Sequence, residues 1–450
     1  MANQNSRLIR IRTIVKLSIK NVKTNWRHSL ATLLAIVMGF TAVSLFDGFI
    51  ENMKLLIEDG SIHRGMMGHV VIERKGAKQK ILEDLWRYSI DERVQEKLTA
   101  LLKADARVET FVRFLILNGM VANSNTQALF VGIGFDLESG AQMRGPKWQW
   151  NVVAGKPLRQ VDGKDPGVVA LGWGLASKMG CQFDLKGALN SDGSYKPVDR
   201  KFECRSRTVQ LSVSTEHSQI NAASFEVQSL VDMQLRDFND RFVMLPLSTS
   251  QTLLDTKRIS RVGVLLKDGK DQLSIIADLS KKADELGLDL EFLPWIEHPA
   301  SATSRGSLEL LTVFRNLFLC VVALIAAMSV ANSMMKSINE RTREIGTLRS
   351  LGFYRSDISL LFAIEGFFLG LFSCLVGWVF AVAVGVLLSR LGLTFKGGVL
   401  SSPIPVQVNV PLFTPLMSLL VLTSITAVTS YLLARRAANS NVSDMLRHVA

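Results

Sequence analysis

The chain has 450 residues, 48% of them hydrophobic, with a mean hydropathy of +0.23 and a formal net charge of +12. That length holds two or three domains, and the basic excess invites a nucleic-acid reading. Its distribution excludes one: residues 1–50 carry net +6, residues 311–450 carry net +6, and 51–310 balance to zero. All the excess lies beside or within long apolar runs, so it is topological charge facing a cytoplasm and an anionic leaflet.

In chain order, Arg7, Arg10, Arg12, Lys16, Lys20, Lys23 and Arg27 interleave with apolar residues and no acid. Residues 1–28 therefore read as a basic amphipathic helix on the cytoplasmic membrane face. Ser29–Phe46 is uncharged and lacks a small-residue cleavage site, so 29–50 reads as a first transmembrane span kept as an anchor. The chain then emerges on the far side, the helix continuing over Asp47–Gly60. Residues 51–310 mix strand and helix signals. Gly68–Arg74, Val108–Asn118, Ala128–Gly134, Phe225–Val231, Arg241–Leu245 and Val262–Leu266 read as strands. Glu92–Leu102 and Leu273–Leu286 read as helices, and Gly167–Gly180 as a strand running into a helix. The fold class expected is a membrane protein with four transmembrane α-helices and a large α+β extracytoplasmic domain inserted between helices 1 and 2.

Pro294–Ser307 reads as a linker back to the membrane. The second span covers 311–336, the third 357–389, an outer loop 390–411 and the fourth span 412–434, with Arg435 and Arg436 opening a cytoplasmic tail, 435–450. Gly366, Gly370 and Gly377 recur at spacings of four and seven, either a close-packing face or incidental glycines. Glu365, near the inner end of span three, is either functional at membrane depth or a partner for Arg341 or Arg355.

Between spans two and three, 337–356 forms a charged cytoplasmic loop. Ile338, Ile345 and Leu348 make one apolar stripe of a helix, with Glu340, Arg341, Arg343, Glu344 and Arg349 around it. Gly352 is placed for a left-handed cap, and Ser356 for capping the next helix with Asp357 in its first turn. Interfacial anchoring explains such a helix, and so does docking of a cytoplasmic partner. Two features favour docking. Glu340 and Glu344, four apart, repel on one helix. Gly346 costs about 1 kcal/mol there but admits a close backbone.

Asn-Glu-Arg-Thr-Arg-Glu-Ile-Gly-Thr-Leu-Arg-Ser-Leu-Gly, residues 339–352, resembles the coupling-helix signature of MacB/FtsX-type ABC transporter permeases. The resemblance implies a permease subunit without its own ATPase. Glu340, Arg341, Arg343, Glu344, Ile345, Gly346, Leu348, Arg349 and Gly352 would then couple to a separate ABC ATPase that binds ATP and Mg, with no cofactor held by this chain. It further implies a dimer with a second copy or a paralogue, a periplasmic or outer-membrane adaptor, and a place in the bacterial cytoplasmic (inner) membrane. Gly68-His69-Val70-Val71-Ile72 resembles the lipoprotein-releasing (LolC/LolE-like) branch, and Asp237–Leu247 a recurrent segment of such extracytoplasmic domains. The family pattern implies a β-rich insertion, placed at about 140–235. Residues 436–450 resemble the family's ending, except that Ser443 follows Val442 where proline is usual. The function implied is transmission of ATP-driven motion to the outer domain, extruding or releasing a lipophilic or lipidated substrate. The alternatives are a non-transporting module that regulates an outer partner such as a cell-wall hydrolase, and macrolide- or peptide-type efflux.

The remaining chemistry is sparse. No G-x-x-x-x-G-K-[ST] phosphate loop, G-x-S-x-G or H-E-x-x-H occurs, so the chain is not read as an enzyme. His63 and His69 stand too isolated for a metal site. Cys320 and Cys374 read as packing residues within spans. Cys181 and Cys204, in an oxidising compartment, form either a disulfide or two buried thiols. Trp148, Trp150 and Trp173 with Met143 and Met179 form either core or an apolar ligand surface.

Overall fold

The computed structural model describes residues 26–81, 83–158, 167–184, 187–190, 192–395, 397, 403–411 and 414–439. The amphipathic helix expected over 1–28 and the end of the tail lie almost wholly outside these residues. The chain forms two compact units, one built from the spans and one from 55–306 with 394–405.

Among the described residues, four helices are long and apolar enough to cross a membrane. They are span 1, Trp26–Asp59; span 2, Ala302–Glu340; span 3, Arg355–Arg390; and span 4, Thr414–Ala438. About 20 residues cross a hydrocarbon core, so spans 1 to 3 have turns to spare. Span 2 begins inside the expected linker, whose remainder is two 3-10 turns, Trp295–Glu297 and Pro299–Ser301. Within this unit Ile36, Phe40, Val322, Val330, Phe362 and Leu422 are buried together. Gly39 faces Val322, and Thr32 Oγ donates to the Ser329 carbonyl at 3.2 Å, which ties span 1 to span 2.

The second unit carries a ten-stranded mixed sheet. Its strands are β1 Val70–Arg74, β2 Val108–Ala122, β3 Gln127–Phe135, β4 Ala154–Gly155, β5 Gly167–Gly172, β8 Thr208–Ser214, β9 Ile220–Val231, β10 Phe242–Pro246, β11 Arg261–Leu266 and β12 Leu290–Pro294. A separate pair, β6 Cys181–Gln182 and β7 Glu203–Cys204, lies between β5 and β8 in sequence. The sheet runs β12-β1-β11-β2-β3-β10-β5-β9-β4, with β8 bridging β2 and β9. β3 with β10 and β5 with β9 are parallel; the other pairs are antiparallel. The period-two rule puts Val70 and Ile72 of β1 on one face and Val71 on the other, and all three are buried, so both faces are covered. One cover is helix α1, Glu92–Ala104, capped by Asp91 Oδ1 accepting from Val94 N at 3.0 Å and burying Leu98 and Leu102.

The stretch 140–235, expected as a β-rich insertion, carries β4 to β9. β5 and β9 hydrogen-bond through β10 and β3 into the same sheet as β1 and β2, so the stretch extends the domain. Helix α2, Leu137–Trp148, falls in it too. Gly145, at φ 62°, and Pro146 interrupt α2 and break the apolar period that marks a helix.

Candidate functional site

The candidate site is the loop between spans 2 and 3. Its helix is short, Thr342–Ser350, because span 2 ends at Glu340 and Arg341 leaves helical geometry with φ −108° and ψ 15°. This corrects the single-helix reading. Glu340 and Glu344 do not sit four apart on one helix, and Glu344 Oε2 instead accepts from Arg341 Nε at 3.0 Å. Glycine ends the helix as expected. Gly352, at φ 93°, donates to the Arg349 carbonyl at 3.1 Å, and Phe353 N donates to Leu348 O at 3.2 Å, the paired bonds of a Schellman cap. The next helix start is shifted. Span 3 is capped at Tyr354, whose N–H donates to Asp357 Oδ2 at 2.8 Å, so Asp357 takes the role expected of Ser356.

Five of the nine predicted coupling residues turn inward. Ile345 is buried with Ile338, Ile358, Leu361 and Ala438, and Leu348 packs at the edge of that cluster. Gly346 is also buried. Arg341 lies over the Phe362 ring at 5.5 Å and donates from Nη1 to Glu365 Oε2 at 3.4 Å. Glu365 therefore pairs with Arg341, while Arg355 donates to Asn439 Oδ1 at 3.2 Å. Arg349 Nη1 donates to the Ala438 carbonyl at 3.0 Å, satisfying an end group of span 4. Glu340, Arg343, Glu344 and Gly352 remain on the exposed side. Two residues missed by the sequence reading join them: Leu351, 74% exposed, and Tyr354, 68% exposed. Their signal was present, since both are apolar or aromatic residues off the Ile338–Ile345–Leu348 stripe.

The glycines of span 3 face neighbouring spans. A Cβ on Gly366 would meet Ser430 and the Thr426 backbone, and one on Gly370 would meet Thr426 and Thr423, all in span 4. One on Gly377 would come 3.0 Å from the Val37 carbonyl oxygen of span 1, and Thr41 Oγ1 donates to the Gly377 carbonyl at 3.1 Å.

In the second unit, β6 and β7 pair Cys181 with Cys204, and the two are joined by a disulfide. Trp148, Met143 and Met179 are buried, and Trp150 and Trp173 pack against the core, so the tryptophans serve packing. His63 Nδ1 lies 2.9 Å from the Met143 carbonyl, and His69 Nδ1 accepts from Leu266 N at 3.1 Å. Among the described residues no three His, Cys, Asp or Glu converge on a metal position.

Residues 316–442 match the model of the FtsX-like permease C-terminal family, and 29–282, more than half of the chain, match that of the MacB-like periplasmic core domain. An uncharacterized ABC transporter permease of Methanocaldococcus jannaschii is 25% identical over 173 residues, 38% of this chain and 43% of the relative. The ABC transporter permease YtrF of Bacillus subtilis is 25% identical over 120 residues, 26% of this chain and 28% of its own. The macrolide export ATP-binding/permease protein MacB of Salmonella paratyphi A is 26% identical over 148 residues, 33% of this chain and 22% of its own. The matched stretch thus spans less than half of each relative. The periplasmic region of MacB from Actinobacillus actinomycetemcomitans covers 55% of this chain and 95% of its own, at 13% identity and a TM-score of 0.33.

Proposed function

The chain belongs to the MacB-like, FtsX-like family of ABC transporter permeases, multi-pass inner-membrane proteins with a periplasmic domain, and from that premise we propose that it is the membrane subunit of a transporter whose ATPase is a separate chain. The observation that carries the reading is the division of the 340–352 loop. Its apolar stripe and two of its arginines anchor it to spans 3 and 4, which leaves Glu340, Arg343, Glu344 and Leu351 exposed on a braced platform. A helix that only lay on the membrane would turn its apolar residues to lipid. Here the Ile338, Ile345 and Leu348 stripe is spent on the chain's own core, and charge faces outward with Leu351 and Tyr354 for a protein partner. ATP and Mg are assigned to that partner; residues 1–450 hold no G-x-x-x-x-G-K-[ST] loop.

Two such permeases, alike or paralogous, would be gripped by two ATPases. Closure of the ATPases pushes on the loop, and spans 1 and 2 carry the motion to the outer domain. The substrate class is lipophilic or lipidated. Supporting it, spans 1 and 2 line an apolar recess of about 860 Å³ with Phe46, Phe49, Phe314 and Phe318, and no charged residue lines it. That size and apolar lining suit an acyl or other hydrophobic group.

The test is ATP turnover by the permease and its ATPase in proteoliposomes, with a diacylated peptide, the same peptide unacylated, and a macrolide. Stimulation by the acylated peptide alone is expected. Stimulation by the macrolide alone would move the substrate to the efflux class. Turnover indifferent to all three, with activation of a cell-wall hydrolase, would establish the regulatory alternative.

A further inference from the structure

The periplasmic unit encloses a second, smaller cavity of about 60 Å³, separate from the loop on which the transport reading rests. Phe135, Leu158, Val231 and Met244 give it apolar walls, Gln149 and Asn151 also line it, and Arg144 of α2 and Ser229 of β9 each bring to it a buried polar atom without a hydrogen-bond partner. Ser229 is fully buried and its Oγ makes no hydrogen bond; Arg144 Nε is shut from solvent and makes none either. Among the described residues no carboxylate pairs with Arg144, whose guanidinium rests over the Phe135 ring at 5.1 Å. Burial, and then the neighbouring Arg64, bring Arg144 down to about 10, so it stays charged at neutral pH. Asp232 is committed elsewhere. Its carboxylate accepts from Arg64 Nη2 at 3.2 Å, Tyr195 OH at 2.7 Å and Asn239 Nδ2 at 2.7 Å.

A guanidinium Nε and a hydroxyl that are both shut from solvent and lack hydrogen-bond partners cost stability, and natural proteins rarely leave two such groups in one cavity. An anion entering the cavity would satisfy the two together. We propose that this cavity binds a small carboxylate, held by the Arg144 guanidinium and the Ser229 hydroxyl, with its short apolar part against Val231 and Met244. The chemistry favours a carboxylate over a phosphate. One guanidinium balances one negative charge, its planar fork matches a carboxylate, and the walls are apolar. The carboxylate comes either from a free short-chain acid or from the terminus of a peptide. The inference is independent of the transport reading, and either can fail alone.

The experiment titrates propionate, against chloride at constant ionic strength, into the full chain in detergent micelles. It reads calorimetric heat and the thermal midpoint. Wild type should bind saturably and be stabilised, Ser229→Ala should bind about 5-fold more weakly and Arg144→Gln about 30-fold more weakly, the ratios expected for losing a neutral and a charge-assisted hydrogen bond. Displacement of propionate by N-acetylglycylalanine would assign the site to peptide termini, and failure to displace it to free acids. No saturable binding by wild type, or unchanged affinity in both variants, would overturn the proposal. Ser229→Ala removes one buried oxygen, so it keeps the test decisive if Arg144→Gln fails to fold.

Discussion

Asp105 carries the clearest pH dependence of any single residue in the periplasmic domain. Its carboxylate receives Arg107 Nε at 2.8 Å and Nη2 at 2.5 Å, with Lys282 Nζ at 3.9 Å, and hydrogen bonding from Arg107, above all, holds it down to about 2. A depressed carboxylate stabilises the fold above its unfolded value of about 3.9, and that contribution is lost as pH falls through about 2. Asp105→Asn should therefore lower stability by about 2 kcal/mol at pH 7. The deficit relative to wild type should shrink steadily between pH 4 and pH 2, as read from thermal unfolding across that range. A deficit that stays constant with pH would show that the ion pair contributes nothing. At this scale the sequence was only partly legible. It offered Arg341 and Arg355 equally as partners for Glu365, and the choice is made by the backbone break at Arg341, a geometry no local residue pattern announces. Likewise two cysteines 23 apart left the disulfide open until β6 and β7 brought them into register.

At the scale of elements, the glycines of span 3 make a prediction by contrast. A side chain on Gly370 would collide with Thr426 and Thr423, whereas one on Gly306 would meet nothing. Gly370→Leu should destabilise the packing of spans 3 and 4 by about 1–3 kcal/mol or more, whereas Gly306→Ala should be neutral or slightly stabilising in its helix. Thermal unfolding in micelles reads both, and equal midpoints for the two variants would show that the stripe is incidental. The long apolar spans and the alternating strands were readable because their periods are strong and uninterrupted. Strand β8 was missed even though Val209, Leu211 and Val213 alternate inward, because its polar outer residues dilute the apolar content. Gly346 lies buried, which its local sequence does not announce. Glycine marks a close approach, but the sequence does not say whose backbone approaches.

For the whole molecule, charge placement predicts residues 51–310 outside and the 337–356 loop inside, and residues 29–282 match a periplasmic core domain. In a chain with Cys320 and Cys374 replaced, an impermeant thiol reagent should label Ser274→Cys in intact cells and leave Ser350→Cys unlabelled; the opposite pattern would invert the topology. Most of the architecture was legible, since membrane spans follow from composition alone. The extent of the sheet was not, because pairing between β5 and β10, more than 70 residues apart, leaves no local trace. The central claim is that the exposed face of the 340–352 loop docks an ATPase, and one substitution separates it from membrane anchoring. In a protein interface, Glu344→Lys strands a repelled charge and costs roughly 2–5 kcal/mol; against anionic lipid it gains roughly 1 kcal/mol. Copurification of the ATPase and ATP turnover should be measured for wild type, Glu344→Lys and Leu351→Ser at matched expression and matched thermal midpoint. The expected result is loss of most bound ATPase and turnover in Glu344→Lys, with a smaller loss in Leu351→Ser. Undiminished binding and turnover in both variants would contradict the docking site and the function built on it.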